Sequence, residues 1–211
     1  MMEVLIYSSL YLILFGFTDL LYHKFKVNAN STRKIVHVCT GLIALTFPIY
    51  IQKFWQVAWL CLSFLILMAI SERFKWFKSI TAVDRKSYGS WLFALVVLVC
   101  FYIQINTDRT EFFYLPILVL TISDPVAAIV GKWLNFRPLM ICGHKKTLGG
   151  SVAFLCSACL IVGTVNHLYY SLSAVDIAWI SITATLAELI STKGLDNLTV
   201  PGSIVVLLSL L

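Results

Sequence analysis

Residues 112–132 read FFYLPILVLTISDPVAAIVGK. The stretch matches the roughly 20 apolar residues that a membrane helix needs, yet it carries Asp124 with Pro125 directly after it. Asp124 lies about 13 residues into the span, at hydrocarbon depth. An ionisable group there is costly, which makes it a functional candidate by default. Pro125 deprives the carbonyl one turn back of its partner and kinks or breaks the helix. A break at that depth is tolerated where it lines a wet cavity. Asp124 therefore reads as a metal or nucleotide ligand, against the alternative of a carboxylate paired structurally with Arg or Lys.

Six further windows resemble this one: Glu3–Tyr22, Ile35–Ile51, Phe54–Ser71, Tyr88–Ile105, Leu148–Leu168 and Ala174–Ile190. The tail Leu198–Leu211 is apolar but spans only about 21 Å as a helix, short of the roughly 30 Å core, and reads as a partial eighth helix. Of the 211 residues, 60% are hydrophobic and 12% charged, with a mean hydropathy of +0.90. Soluble domains carry about 25% charge. The composition excludes a soluble, disordered, collagen-like or disulfide-stapled chain. It predicts an all-α polytopic membrane protein of seven to eight transmembrane helices, forming one domain across residues 1–211. The first window has no basic flank before it and is followed by Lys24, Lys26, Arg33 and Lys34, so it is not a cleavable signal peptide.

Charge sets the orientation. Fourteen of the sixteen Lys and Arg fall after the first, third, fifth and seventh windows, and only Lys53 and Arg109 lie on the other side. The positive-inside rule puts the N-terminus outside and the basic loops in the cytoplasm, in an inner or cytoplasmic membrane. The basic balance is this asymmetry, and no folded nucleic-acid-binding motif accompanies it. Segment Ser71–Ser87, with Phe74, Trp76 and Phe77 among basic residues, suits the cytoplasmic interface or a plain linker.

Other polar residues gather on the same side. Glu188 sits near the cytoplasmic end of the seventh window with Thr185 on its face; Asp19 and His37 are similarly placed. Gly143-His144-Lys145-Lys146-Thr147-Leu148-Gly149-Gly150-Ser151 combines two lysines, close-approach glycines and a helix start whose N–H groups and dipole favour phosphate. Snorkelling lysines beside a small-residue packing face explain the same pattern. Arg33-Lys34 with His37 and Gly41 forms a second basic segment. In Gly194-Leu195-Asp196-Asn197-Leu198-Thr199-Val200-Pro201, Asp196 and Asn197 can ligate a hard cation, and an ordinary turn explains the same residues. The six cysteines read as free: Cys156 and Cys159 are spaced CxxC but lie within a helix.

The order Arg33-Lys34-x-x-His37-x-x-x-Gly41, Ser123-Asp124-Pro125-x-Ala127-x-x-x-Gly131, Lys145-Lys146-Thr147-x-Gly149-Gly150-Ser151, Glu188 and Asp196-Asn197-Leu198-Thr199-Val200-Pro201 resembles the dolichol kinase, phytol kinase and CTP-dependent diacylglycerol kinase group. The likeness runs from about residue 31 to the C-terminus. Lys86-Ser87-Tyr88-Gly89 also looks like a family element. Phe136-Arg137-Pro138-Leu139 with Lys145-Lys146-Thr147 is similar to phosphatidate cytidylyltransferases, whose long acidic C-terminal signature is missing. Gly149 stands where many members have Glu.

The resemblance implies phosphoryl transfer from CTP, or another nucleoside triphosphate, to the hydroxyl of a membrane lipid alcohol with Mg²⁺. The alcohol would be a polyprenol, phytol, a farnesol-type alcohol or diacylglycerol. On that reading Asp124, Glu188, Asp196 and Asn197 hold Mg²⁺ or orient the hydroxyl. Lys145, Lys146, Thr147, Gly149, Gly150 and Ser151 bind the triphosphate, and Arg33, Lys34 and His37 complete the pocket. Transfer of CMP to a lipid phosphate, a proton-coupled transporter and a non-catalytic membrane subunit are the alternatives.

Overall fold

Where no water competes, backbone N–H and C=O groups must pair within their own segment, so apolar runs of this length become helices. The computed structural model describes residues 1–74, 76, 88–141 and 144–211. Its elements in chain order are α1 (Met2–His23), α2 (Ala29–Ala44), the single-turn α3 (Phe47–Tyr50), α4 (Phe54–Phe74), α5 (Gly89–Thr107), α6 (Glu111–Leu134), β1 (Pro138–Ile141), β2 (His144–Thr147), α7 (Leu148–Tyr169), α8 (Ala174–Ile190) and α9 (Asp196–Leu210). Of these, α1, α4, α5, α6 and α7 are long and apolar enough to cross a membrane. Large apolar side chains such as Leu5, Ile13, Ile66, Leu160 and Val206 stand exposed around the outside, the surface expected of a protein solvated by lipid. The fold is an all-α polytopic membrane bundle with one small hairpin.

The structure departs from the sequence reading in four places. The window Ile35–Ile51 is not one helix. The helix starts earlier, at Ala29, because Asn28 accepts a hydrogen bond from the Ser31 N–H at 2.8 Å and caps it. It stops at Ala44, since Pro48 has no N–H to give the Ala44 carbonyl, and resumes as α3. Second, α9 begins at Asp196 rather than Leu198, with an acidic residue in its first turn. Third, α6 runs unbroken through Pro116 and Pro125. Neighbouring helices enclose it, and that packing outweighs the lost hydrogen bonds. Fourth, Pro138–Ile141 and His144–Thr147 pair antiparallel, with Leu139 opposite Lys146 and Met140 opposite Lys145. Cys142 and Gly143 at the hairpin tip lie outside the described residues, as do Lys75 and residues 77–87, which include Phe77, Lys86 and Ser87. Phe74 and Trp76 at the rim of that segment pack ring to ring at 5.9 Å. None of the described cysteines is bonded to another.

Helix α6 organises the bundle. More than half of its apolar window is buried, 56%, against 17% for α1. On one side α1, α2, α6, α5 and α4 contact one another in a closed ring; on the other α7 and α9 pack against α6, and α8 packs against both α7 and α9. Two glycine crossings bring the neighbours close. A methyl built at Gly41 of α2 would stand 2.8 Å from Cβ of Thr121 on α6. A methyl at Gly150 of α7 would stand 2.9 Å from the Ala127 carbonyl oxygen of α6. Real Cβ atoms cannot occupy either place without moving a helix.

Gly41→Val is therefore expected to destabilise the protein by about 1–3 kcal/mol through overpacking. Thermal unfolding in detergent measures this. Adding Thr121→Ala should recover part of the loss, whereas pairing Gly41→Val with a substitution at the open Gly163 should recover none.

Candidate active site

Described residues at the ends of four inter-helix connections meet at one end of the bundle around a cavity of about 1170 Å³. Its walls include Asn28 before α2, Glu72 of α4, Tyr88 before α5, Asn135 after α6, Lys145 of the hairpin and Lys193 after α8. These are the connections whose basic residues the sequence placed on one side of the membrane.

Asp124 projects from α6 into this space, half-buried. It makes no ion pair and no hydrogen bond among the described residues. Its carboxylate lies near enough to Asp196 and Glu188 for mutual repulsion, with the ammonium groups of Lys146 and Lys34 acting against it. Of the two readings of Asp124, structural pairing with a basic side chain finds no support.

Glu188 is differently placed. Its buried carboxylate accepts a hydrogen bond from Lys146 Nζ, and the same ammonium donates to the Glu188 carbonyl at 2.8 Å. The pair joins β2 to α8 across the cavity wall. One charge of each sign is thereby cancelled in a desolvated place.

Asp196 and Asn197 sit on the turn from α8 to α9. Lys193 and Gly194 both adopt left-handed backbone there, with φ of 55° and 86°, a conformation natural for glycine and strained for lysine. The hydroxyls of Ser191 and Thr199 bond across the turn and hold it. Asp196 Oδ1 accepts from the Asn197 backbone N–H at 3.0 Å and side-chain Nδ2 at 3.1 Å. Asn197 Oδ1 is buried with no hydrogen-bond partner among the described residues. Among the described residues no three His, Cys, Asp or Glu side chains group into a ready metal cage. Mg²⁺ rarely needs one, because it commonly takes one or two carboxylates and fills its shell with water and phosphate oxygens. An orphaned amide oxygen beside Asp196 fits that demand.

Arg33, Lys34 and His37 reach the cavity from the first turns of α2. His37 Nε2 lies 3.4 Å from the Leu120 carbonyl of α6, and its ring meets Phe93 edge-on at 5.4 Å. Lys145, Lys146, Thr147, Gly150 and Ser151 line the cavity too. Two expected residues are elsewhere. Gly149 is buried toward Phe136 and Leu134, and Asp19 pairs with His23 at 3.6 Å on α1.

The start of α7 differs from expectation in its chemistry. The N–H groups of its first turn are already used: Leu148 donates to the Arg137 carbonyl at 3.2 Å, Gly149 to Phe136 at 3.4 Å, and Gly150 to Thr147 Oγ1 at 3.1 Å. The hairpin and the threonine cap consume the donors that an anion would have taken. Gly150 contributes closeness to α6. What remains for phosphate at this point is side-chain charge and the helix dipole.

Sequence reasoning missed two basic walls of the cavity, Lys132 and Lys193, because both were spent on the topology argument. Lys132 lies eight residues beyond Asp124 on the same helix, a spacing that could have signalled a shared face.

Breaking the Lys146–Glu188 pair should be costly. Lys146→Met leaves a buried carboxylate unpaired and is expected to lower stability by about 3 kcal/mol. Lys146→Met with Glu188→Gln should restore most of it, a coupling that thermal unfolding of the four variants measures directly.

Over 178 residues the chain is 28% identical to the phytol kinase of Synechocystis sp., a match covering 82% of this chain and 76% of that protein. It supports the polyprenol- and phytol-kinase-like family that the motifs resemble. No family model and no solved structure matches the chain.

Proposed function

We propose that this chain, a relative of a phytol kinase, transfers the terminal phosphoryl group of CTP or another nucleoside triphosphate to the hydroxyl of a membrane lipid alcohol. The observation that carries the reading is Asp124: a carboxylate without an ion-pair partner among the described residues, inside a membrane bundle, facing a cavity walled by Arg33, Lys34, Lys132, Lys145, Lys146 and Lys193.

Among the described residues only Lys146 of these six is ion-paired to a carboxylate. The other five supply positive charge for a triphosphate entering from the cytoplasm, which the positive-inside asymmetry places at this end, leaving the N-terminus outside. The alcohol reaches Asp124 from the bilayer. Its oxygen attacks the terminal phosphorus, and a new O–P bond forms as the bond to the bridging oxygen breaks. The hydroxyl proton passes to the Asp124 carboxylate, and the nucleoside diphosphate departs with the bonding electrons. Phosphoryl transfer asks mainly for positioning and charge neutralisation, and Lys145, Arg33 and Lys34 are placed to provide them. Asp196 and Asn197 would hold Mg²⁺, which neutralises phosphate charge when bound. Glu188 acts by holding Lys146. His37 fixes the α2 wall against α6.

The test is purified protein with CTP, ATP, GTP and UTP against a panel of lipid alcohols, with products identified by mass. Asp124→Asn should lower turnover by about 10²–10⁴-fold, with membrane insertion and thermal stability retained. A variant that turns over like the wild type removes Asp124 from the reaction. Release of pyrophosphate instead of nucleoside diphosphate shows nucleotidyl transfer to a lipid phosphate.

A further inference from the structure

The exposed side chains of α6 are confined to its last two turns. Ile129 and Trp133, one turn apart on one face, both stand out, Trp133 with 81% of its surface free. The exposure continues past the helix end through Leu134 and Phe136 to Met140 of β1, itself 74% exposed. The backbone under this patch is fixed. Asn135 and Arg137 adopt left-handed conformations, with φ of 42° and 45°. The Phe136 and Arg137 carbonyls accept hydrogen bonds from the N–H groups of Gly149 and Leu148 at the start of α7. The hairpin beyond has two unlike faces. Lys146, opposite Leu139, turns in to Glu188, whereas Met140 turns out.

We propose that this patch is a membrane-interface anchor for an anionic phospholipid: Trp133, Phe136 and Met140 seat at the boundary of headgroups and acyl chains, and Arg137 binds the headgroup phosphate. Three observations carry it. The first is continuity. Ile129 belongs to the apolar stretch of a helix long enough to span a membrane, so a lipid-facing surface leads from it directly to Trp133 one turn on. The second is composition. Five large apolar side chains stand exposed within residues 129–140, among them a Trp and a Phe, the residue types that mark the level of the headgroups. The third is charge. Between Asp124 and Asp176 the chain has no acidic residue, and Lys132, Arg137 and Lys145 form no ion pair among the described residues. The Arg137 guanidinium lies over the Phe136 ring at 5.6 Å, which holds a planar phosphate-binding group at the level of the apolar patch. Arg137 does not line the polar cavity, so the proposed reaction makes no use of it. The same positive charge disfavours a second copy as the occupant, because two such patches repel when they face each other.

Indole fluorescence of the protein in nanodiscs, with no nucleotide or lipid alcohol present, tests this independently of the kinase reading. The signal of Trp133 is the difference between the wild type and Trp133→Phe. Bromines placed on acyl chains near the headgroup should quench that difference signal, and aqueous acrylamide should reach it poorly. At equal mole fraction, brominated phosphatidylglycerol should quench it more strongly than brominated phosphatidylcholine, by about twofold or more. Arg137→Asn, whose new side chain tolerates left-handed backbone, should remove most of that preference. Met140→Asp changes an exposed position and leaves the fold intact, so it serves as an independent variant; it should weaken quenching by both bromolipids. Quenching by acrylamide but not by bromine puts the patch in water and overturns the anchor. Equal quenching by the two bromolipids, or a preference unchanged in Arg137→Asn, overturns the anionic site.

Discussion

An ionised carboxylate halfway along a membrane helix must face water, a cation or a ligand, because hydrocarbon offers it nothing. Asp124 imposes that demand on α6, and much of the architecture answers it. The helix is surrounded rather than lipid-facing, packed by α2, α5, α7 and α9. The cavity opens beside the acid, and the basic ends of the connecting segments close around that opening. Enclosure also explains why Pro116 and Pro125 leave α6 intact: each removes a backbone donor, but a helix fixed on all sides by neighbours loses little by it.

The enclosure is tight because side chains are missing where helices cross. With no hydrophobic drive between helices in lipid, association depends on close van der Waals contact, and glycine permits it. Gly41 lets α2 approach at Thr121, one turn before Asp124; Gly131 and Gly150 let α7 approach one to two turns after it. The acid thus sits between two close crossings, a rigid mounting for its carboxylate. The same motif residues serve geometry and chemistry at once, and a motif cannot say which. Gly149 and Gly150 read as a phosphate cradle in sequence. In the fold Gly150 is a contact point, and the first-turn N–H groups of α7 go to Thr147, Phe136 and Arg137.

That distinction marks how much was legible. Long apolar runs name their own helices, so α1, α4, α5, α6, α7 and α8 lie within a few residues of the windows read from sequence. Charge asymmetry named the end of the bundle where the polar residues would meet, and Arg33, Lys34, His37, Asp124, Lys146, Glu188 and Asp196 do share one cavity there. The hairpin was not legible. Each strand has four residues, too few for a period, and its pairing is a long-range fact. The start of α2 could have been found, since Asn28 three residues before Ser31 is a capping signal. Polarity in that stretch hid the helix from a search for apolar windows. The partner of Glu188 was out of reach, because nothing local ties a strand lysine to an acid 42 residues later.

The pairing matters most for sorting three acids that look alike in sequence. Glu188 is buried with a lysine in contact, so its charge is already compensated. Asp196 Oδ1 accepts hydrogen bonds from two N–H groups of Asn197, and among the described residues its second oxygen accepts none. Asp124 has neither kind of partner among the described residues. The charges around it complete the argument. Six basic and four acidic residues line the cavity, and one ion pair joins two of them among the described residues. Five cations in a partly desolvated space, against three carboxylates that form no ion pair among the described residues, form a field that favours an anion from outside.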